Sequence, residues 1–230
     1  MSLNIHEYDT PELLTQHFAG EIIDLLKNAI KIKGKASLVV SGGSTPKPLF
    51  MMLSQADLAW EKVNVTLADE RWVDASHKDS NEKLVRDNLL TGNAASANFV
   101  SLTTEAKNAQ NAEAEISQRI DAIDKQFDVL ILGMGEDGHT ASLFPCSEQI
   151  SEGLDMSRHL SAIATQPTTA PHQRMSMSLA KIVNAKHVFL HLIGAKKKAV
   201  LLDALANYTN LEKPIKAVCD NRTVELMWAP

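Results

Sequence analysis

Phe127-Asp128-Val129-Leu130-Ile131-Leu132-Gly133-Met134-Gly135-Glu136-Asp137-Gly138-His139-Thr140-Ala141-Ser142-Leu143-Phe144-Pro145 is an apolar strand that runs into a glycine-rich turn carrying two carboxylates and a histidine. The three glycines spell GxGxxG, which raises the question of a dinucleotide site. In that fingerprint a helix begins within the glycines, so that its first N–H groups face a pyrophosphate. Here Glu136 and Asp137 occupy the cradle, and HTASLFP gives no long amphipathic helix before Pro145. The stretch reads instead as a loop that sets His139 beside carboxylates, where an imidazole serves as a general base near neutral pH.

On either side of this strand, helical and extended patterns alternate. Leu13, Leu14, Phe18, Ile22, Leu25, Leu26 and Ile30 recur at helical spacing between Thr10 and Lys31, and Thr10-Pro11 is a start signal. Ala36 to Val40 is a short apolar run broken by Ser41-Gly42-Gly43-Ser44-Thr45-Pro46, with Pro46 opening a helix. Val63 to Ala68 is a second strand, ended by Asp69-Glu70-Arg71-Trp72; Ser80 or Asn81 caps a helix through Leu90. Glu105 to Asp124 reads as a helix leading into the Phe127–Leu132 strand, and His187 to Ile193 as a fourth strand followed by a helix over Ala195–Asn207. The alternation predicts one α/β domain over residues 1–230, a doubly wound, mostly parallel Rossmann-like sheet flanked by helices. Residues 140–175, with weak periodicity and several prolines, are the stretch expected to be mobile.

The 230 residues, 44% hydrophobic, are enough to bury a full core. A formal net charge of −5, with no block of like charges beyond Lys196-Lys197-Lys198, argues against nucleic acid or an anionic membrane as partner. Two cysteines, Cys146 and Cys219, make no disulfide framework and nothing resembles a zinc ligand set, so a reducing cytoplasm is expected. The N-terminal residues show no secretory signal pattern, and no apolar run approaches membrane-spanning length.

The polar motifs SGGSTP, DERW, GMGEDGH and GAKKK each begin where an apolar strand stops. In an open α/β sheet the carboxyl ends of the strands share one rim, and ligands bind in the crevice there. Ser41, Gly42, Gly43, Ser44 and Thr45 offer bare backbone, hydroxyls and a Pro-initiated helix, a combination suited to a phosphate monoester; the alternative is an ordinary strand-to-helix turn. Arg71, Arg174 and Lys197 read as cationic clamps for its charge, the alternatives being solvated surface charges or, for Arg71, an ion pair with its acidic neighbours. Lys196 and Lys198 are read as solvated. His187 and His191 lie four apart on a strand but lack a third ligand; His172 has no clear role; Cys146 has no positioned base and no GxSxG elbow exists, so water is the expected nucleophile.

In this order and spacing the motifs resemble the 6-phosphogluconolactonase family of the oxidative pentose phosphate pathway. The resemblance covers nearly the whole chain and rests on SGGSTP, on ADERWV followed by Ser80-Asn81, on LGMGEDGHTASLFP, on R-x-S-x-S at Arg174–Ser178 and on G-x-x-K at Gly194–Lys197. It implies a fold shared with glucosamine-6-phosphate deaminases and ribose-5-phosphate isomerases, and hydrolysis of 6-phospho-D-glucono-1,5-lactone without metal or other cofactor. By position, His139 resembles the family's general base and Asp137 a catalytic partner that shapes or orients it. The SGGST loop, Arg71, Arg174 and Lys197 would then hold the phosphorylated lactone. Cys146 departs from the family, where a glycine or histidine commonly follows FP. The related deaminases resemble GHIAFNEP at this site, with a glutamate five residues after the histidine; here that position is Phe144, which favours lactone hydrolysis over ring-opening chemistry. A non-catalytic sugar-phosphate sensor is the reading from another class.

Overall fold

The computed structural model describes residues 2–230. In chain order its elements are β1 (Ser2–Glu7), α1 (Pro11–Lys33), β2 (Ala36–Val40), α2 (Lys47–Ser54), β3 (Val63–Leu67), β4 (Asp69–Arg71), α3 (Asn81–Asn88), β5 (Asn98–Phe99), α4 (Glu113–Ile123), β6 (Val129–Leu132), α5 (Ile150–Gly153), β7 (Ala162–Thr165), β8 (Arg174–Met177), α6 (Leu179–Val183), β9 (His187–Ile193), α7 (Ala195–Asn207), α8 (Pro214–Asn221) and β10 (Thr223–Ala229). Seven strands form a parallel sheet in the order β1-β10-β9-β6-β2-β3-β5, and β4, β8 and β7 form a separate antiparallel sheet. From β2 the chain builds outward through β3 and β5, then returns through β6 to build β9 and β10 on the opposite side. The order therefore reverses between β2 and β6, and such a reversal opens a crevice beyond the strands' carboxyl ends. Asp128 fixes this junction from below, accepting from the Ser37 N–H at 2.9 Å while its own N–H donates to Ser37 Oγ at 2.9 Å.

Helix α1 forms where its capping signals and apolar spacing agree. Thr10 Oγ1 accepts from the Leu13 N–H at 3.2 Å, Pro11 supplies the first turn, and Gly34 ends the helix in the left-handed region. Leu14, Phe18, Ile22 and Leu26 form one fully buried stripe against the sheet; each such side chain contributes about 1.5–3 kcal/mol relative to exposure. Strands β2 and β6 are buried at every residue, as expected of parallel strands covered on both faces.

The parallel sheet flanked by helices matches the predicted class, but it is wider than the four strands read from sequence. β1, β5 and β10 extend it, and the small antiparallel sheet was not anticipated. The expected Glu105–Asp124 helix begins only at Glu113. Upstream, Thr104 Oγ1 accepts from the Ala106 N–H, Asn108 Oδ1 from Asn111 and Gln173 Oε1 from Ala109. These side chains capture donors that a helix would use. Within residues 140–175 the chain builds α5 and β7, and all four β7 residues are buried.

Candidate active site

A cavity of about 430 Å³ opens at the β2/β6 junction. Its wall takes residues from all four strand-end motifs: Ser41 to Thr45, Arg71, Gly133 with Gly135 and His139, and Lys197. Arg174 from β8 joins them, so the wall gathers every residue proposed from sequence except Asp137, which stands behind His139. Asn81, Phe144 and His191 also line it, and none of the three had been given a binding role.

The loop after β6 is shaped to hold His139. Its backbone closes through Gly138 N–H to Gly135 O and Gly135 N–H to His139 O, each 3.0 Å, and Thr140 Oγ1 donates to Gly133 O at 2.8 Å. His139 Nδ1 lies 2.5 Å from Asp137 Oδ1, which also accepts the His139 backbone N–H at 3.2 Å. Position 135 must be glycine, because a Cβ there would stand 2.2 Å from two ring atoms of His139. Phe144 stacks on a face of the imidazole, centroids 4.0 Å apart and planes 24° apart. Downstream, Ser142 ties the loop to the small sheet: Oγ donates to Asp69 Oδ2 at 2.5 Å and the N–H to Ser176 Oγ at 3.1 Å.

Burial pushes the Asp137 carboxyl upward, but its hydrogen bond to His139, the charge of that ring and the N–H contacts outweigh this and hold it below the usual carboxylate range. An ionised carboxylate is acceptor-only, so neutral His139 carries its proton on Nδ1 and keeps the Nε2 lone pair for another proton. Glu136, the other loop carboxylate, takes no part; it pairs with Lys196 at 2.7 Å.

The cationic side of the cavity rests on β4 and β8, where Arg71 and Arg174 face each other in antiparallel register. Like charges directly opposite are destabilising. Arg174 is only 6% exposed, and burial first, then the charge of Arg71, lowers its pKa. Arg71 Nη1 donates to the Asp79 carbonyl and Arg174 Nη2 to the Pro171 carbonyl, while Nε of each is buried with no protein partner. The flanking acids make no direct ion pair with Arg71, although their charges partly offset the repulsion felt by Arg174. Asp69 is taken by Ser142, and Glu70 accepts from the N–H groups of Arg71, Asn81 and Glu82 and from Ser80 Oγ, which fastens the start of α3. Lys197 lies between two neighbours engaged elsewhere, Lys196 with Glu136 and Lys198 with Glu7.

In the SGGST loop, Ser41 Oγ is committed to the Ile131 carbonyl at 2.9 Å and so joins β2 to β6. Gly42 makes room for Asn81, whose Oδ1 would stand 1.9 Å from a Cβ at position 42. Asn81 Nδ2 donates to the Asp69 carbonyl at 2.9 Å, locking β4 to the start of α3 beside the loop. The Asn81 signal lay in the sequence as a helix start; only its tertiary partner makes it part of the site.

The side chains of three other reactive groups take no part in the contacts described so far. Cys146 lies off the cavity wall; burial pushes its thiol up, but hydrogen bonds with Thr168 and Thr169 outweigh that and bring it down to about 7. His77, Asp79 and His172 place ligand-type atoms within 4.8 Å of one another, the one grouping of metal-ligand composition found among the described residues. Within it Asp79 Oδ2 lies 3.2 Å from His172 Nε2, the Asp79 N–H donates to His77 Nδ1 at 3.1 Å, and the two rings pack edge-on. His191 is buried on β9 with neither ring nitrogen paired to protein.

Comparison with known proteins adds an independent line. The family model described as glucosamine-6-phosphate isomerases/6-phosphogluconolactonase matches residues 9–228. The chain is 40% identical to the 6-phosphogluconolactonase of Rhizobium meliloti (strain 1021), with 100% of each chain covered. It is 42% identical to that of Neisseria meningitidis serogroup B (strain ATCC BAA-335 / MC58), covering 95% of each. The crystal structure of a 6-phosphogluconolactonase from Shewanella baltica OS155 matches with a TM-score of 0.96 at 41% identity, covering 100% of this chain and 98% of that one.

Proposed function

Given that the chain belongs to the glucosamine-6-phosphate isomerase/6-phosphogluconolactonase family, we propose that it hydrolyses 6-phospho-D-glucono-1,5-lactone to 6-phospho-D-gluconate, a step of the oxidative pentose phosphate pathway. The observation that carries this reading is one cavity with two halves. A histidine with an oriented free nitrogen lines one half, and two arginines in opposed register, buried Arg174 and half-buried Arg71, line the other. A phosphate dianion placed between Arg71 and Arg174 converts their repulsion into two charge-assisted contacts, with Lys197 as a third cation and the SGGST backbone as donors. Held by its phosphate, the lactone presents its carbonyl to His139.

Neutral His139 takes a proton at Nε2 as water oxygen bonds to C1. Collapse of the tetrahedral intermediate breaks the bond between C1 and the ring oxygen, which receives the proton from the imidazolium. Asp137 keeps the ring in the Nδ1–H tautomer and stabilises the transient imidazolium, acting through His139 rather than on the substrate. Phe144 covers the flank of the ring where a deaminase-type glutamate would relay a second proton, which favours ester hydrolysis. The residues assigned to these steps need no metal.

We place the reaction in the cytoplasm, on the expectation that two unpaired cysteines belong to a reducing compartment, and treat residues 1–230 as a single catalytic domain. No helix among the described residues is long and apolar enough to cross a membrane. The test is turnover of freshly prepared phosphogluconolactone, with ammonia release from glucosamine 6-phosphate measured in parallel. Lactone turnover without ammonia supports the proposal; ammonia release overturns it in favour of a deaminase, and binding without turnover in favour of a sensor.

A further inference from the structure

His191 occupies a position that costs stability and repays nothing within the protein. The ring is 4% exposed, lines the cavity, and finds no hydrogen-bond partner for either nitrogen. It packs edge-on to Phe18 of α1, centroids 5.4 Å apart, and the nearby Lys197 charge disfavours its protonation. The residues on either side of it in β9, Leu190 and Leu192, are fully buried, so the strand needs no polar group there for solubility. A buried donor and acceptor left without protein partners costs about 1–3 kcal/mol, and the residue belongs to the cavity wall.

We propose that His191 is a hydroxyl-recognition group of the substrate site, pairing one of its ring nitrogens with a ring hydroxyl of the phosphorylated lactone. This rests on the lactonase reading and extends it. Burial and then the charge of Lys197 push the imidazole down to about 4; the ring is therefore neutral at working pH. A neutral imidazole carries one N–H and one lone pair, the complement of an alcohol, whereas to a phosphate it offers a single uncharged donor and a lone pair that has no use there. Phosphate and hydroxyl recognition are thus divided, with Arg71, Arg174 and Lys197 for the first and His191 for the second. The division gives the site a means of rejecting small phosphorylated compounds that lack the polyhydroxy ring. A site built to pair a substrate hydroxyl discriminates strongly against an analogue without it, because its own polar group is then stranded.

The experiment compares unaltered enzyme with His191→Leu on phosphogluconolactone and on its 2-, 3- and 4-deoxy analogues, alongside thermal unfolding. His191→Leu is expected to lower kcat/KM on the full substrate by about 10- to 100-fold while leaving Tm unchanged or raised, since leucine removes the unpartnered nitrogens. On one deoxy analogue the two proteins should converge, because the hydroxyl and its partner are then both missing. His191→Gln should restore part of the loss. Equal losses on every analogue, unchanged kcat/KM, or a fall in Tm that accounts for lost activity would each show a structural role and overturn the proposal. If unaltered enzyme fails to turn over the full substrate, the lactonase reading falls and this inference falls with it; turnover without convergence removes this inference alone.

Discussion

Gly135→Ala tests the His139–Asp137 pair without touching either residue. Gly135 does not sit at positive φ, so alanine meets no backbone strain and the effect is steric alone. The new Cβ would stand 2.2 Å from His139 Cε1 and Nδ1 and 2.6 Å from Asp137 Oδ1, whereas ordinary contact begins near 3.4 Å. The imidazole must therefore retreat by about 1 Å, while Phe144, stacked at 4.0 Å, restricts its movement on one face. Either the ring turns or the carboxylate swings away, and both uncouple Nδ1 from Asp137. A displacement of about 1 Å in a catalytic group can cost on the order of 10²-fold in rate, and overpacking of this kind costs about 1–3 kcal/mol in stability. The assay is steady-state lactone hydrolysis with thermal unfolding of the same sample. A folded variant with kcat down about 10²-fold and KM little changed is expected, since Arg71, Arg174 and Lys197 are undisturbed. Gly20→Ala is the control: nothing lies within 4 Å of its Cβ position in α1, and activity should stay unchanged. A Gly135→Ala enzyme that keeps its full kcat would refute the claim that this pair, in this geometry, supplies the base.

Asp137→Asn keeps the shape but removes the charge and, by donating from its amide, turns the ring to the wrong tautomer; kcat should fall by 10²-fold or more with retained binding of 6-phosphogluconate. Arg71→Gln should raise KM about 10- to 100-fold, as expected for loss of a charge-assisted contact, and should also abolish thermal stabilisation by inorganic phosphate; unchanged phosphate stabilisation would place the anion elsewhere. His191 makes stability depend on pH in a calculable direction. Its folded pKa, about 4, lies below the ordinary 6.5, so its contribution is full above 6.5 and is lost as pH falls, because the unfolded chain takes up a proton that the buried ring refuses. The drop approaches about 3 kcal/mol near pH 4; denaturant unfolding of His191→Leu should show a shallower acid slope, and identical slopes would show that the ring titrates normally.

The long, locally consistent elements were legible from sequence. β2, β9 and α7 fall where their apolar runs and bounding glycines place them, and α1 follows its Thr10-Pro11 start and its stripe of apolar residues. The strand-end motifs were legible as a group because a parallel sheet puts those ends on one rim. What sequence did not show depends on distant partners. β4, β7 and β8 are three or four residues each, too short for a period to register, yet they bring Arg71 opposite Arg174. β1 and β10 alternate polar and apolar residues weakly and are defined by pairing with each other and with β9. The helix expected upstream of Glu113 failed because Thr104, Asn108 and Gln173 side chains compete for its N–H groups. Phe144 was read for the glutamate it replaces, whereas in the fold it is the surface against which His139 stacks. His191 was one of eight histidines in the chain, and only burial, orphaned nitrogens and a place on the cavity wall set it apart.

The central claim is that His139 activates water against a phosphorylated lactone. The direct measurement is kcat of the unaltered protein and of His139→Ala on freshly prepared 6-phospho-D-glucono-1,5-lactone, after subtraction of spontaneous hydrolysis, with retention of fold verified by thermal unfolding. General-base removal should lower kcat on the order of 10²-fold or more while the arginine-lined half still binds 6-phosphogluconate. Turnover by His139→Ala equal to that of the unaltered protein would contradict the mechanism outright.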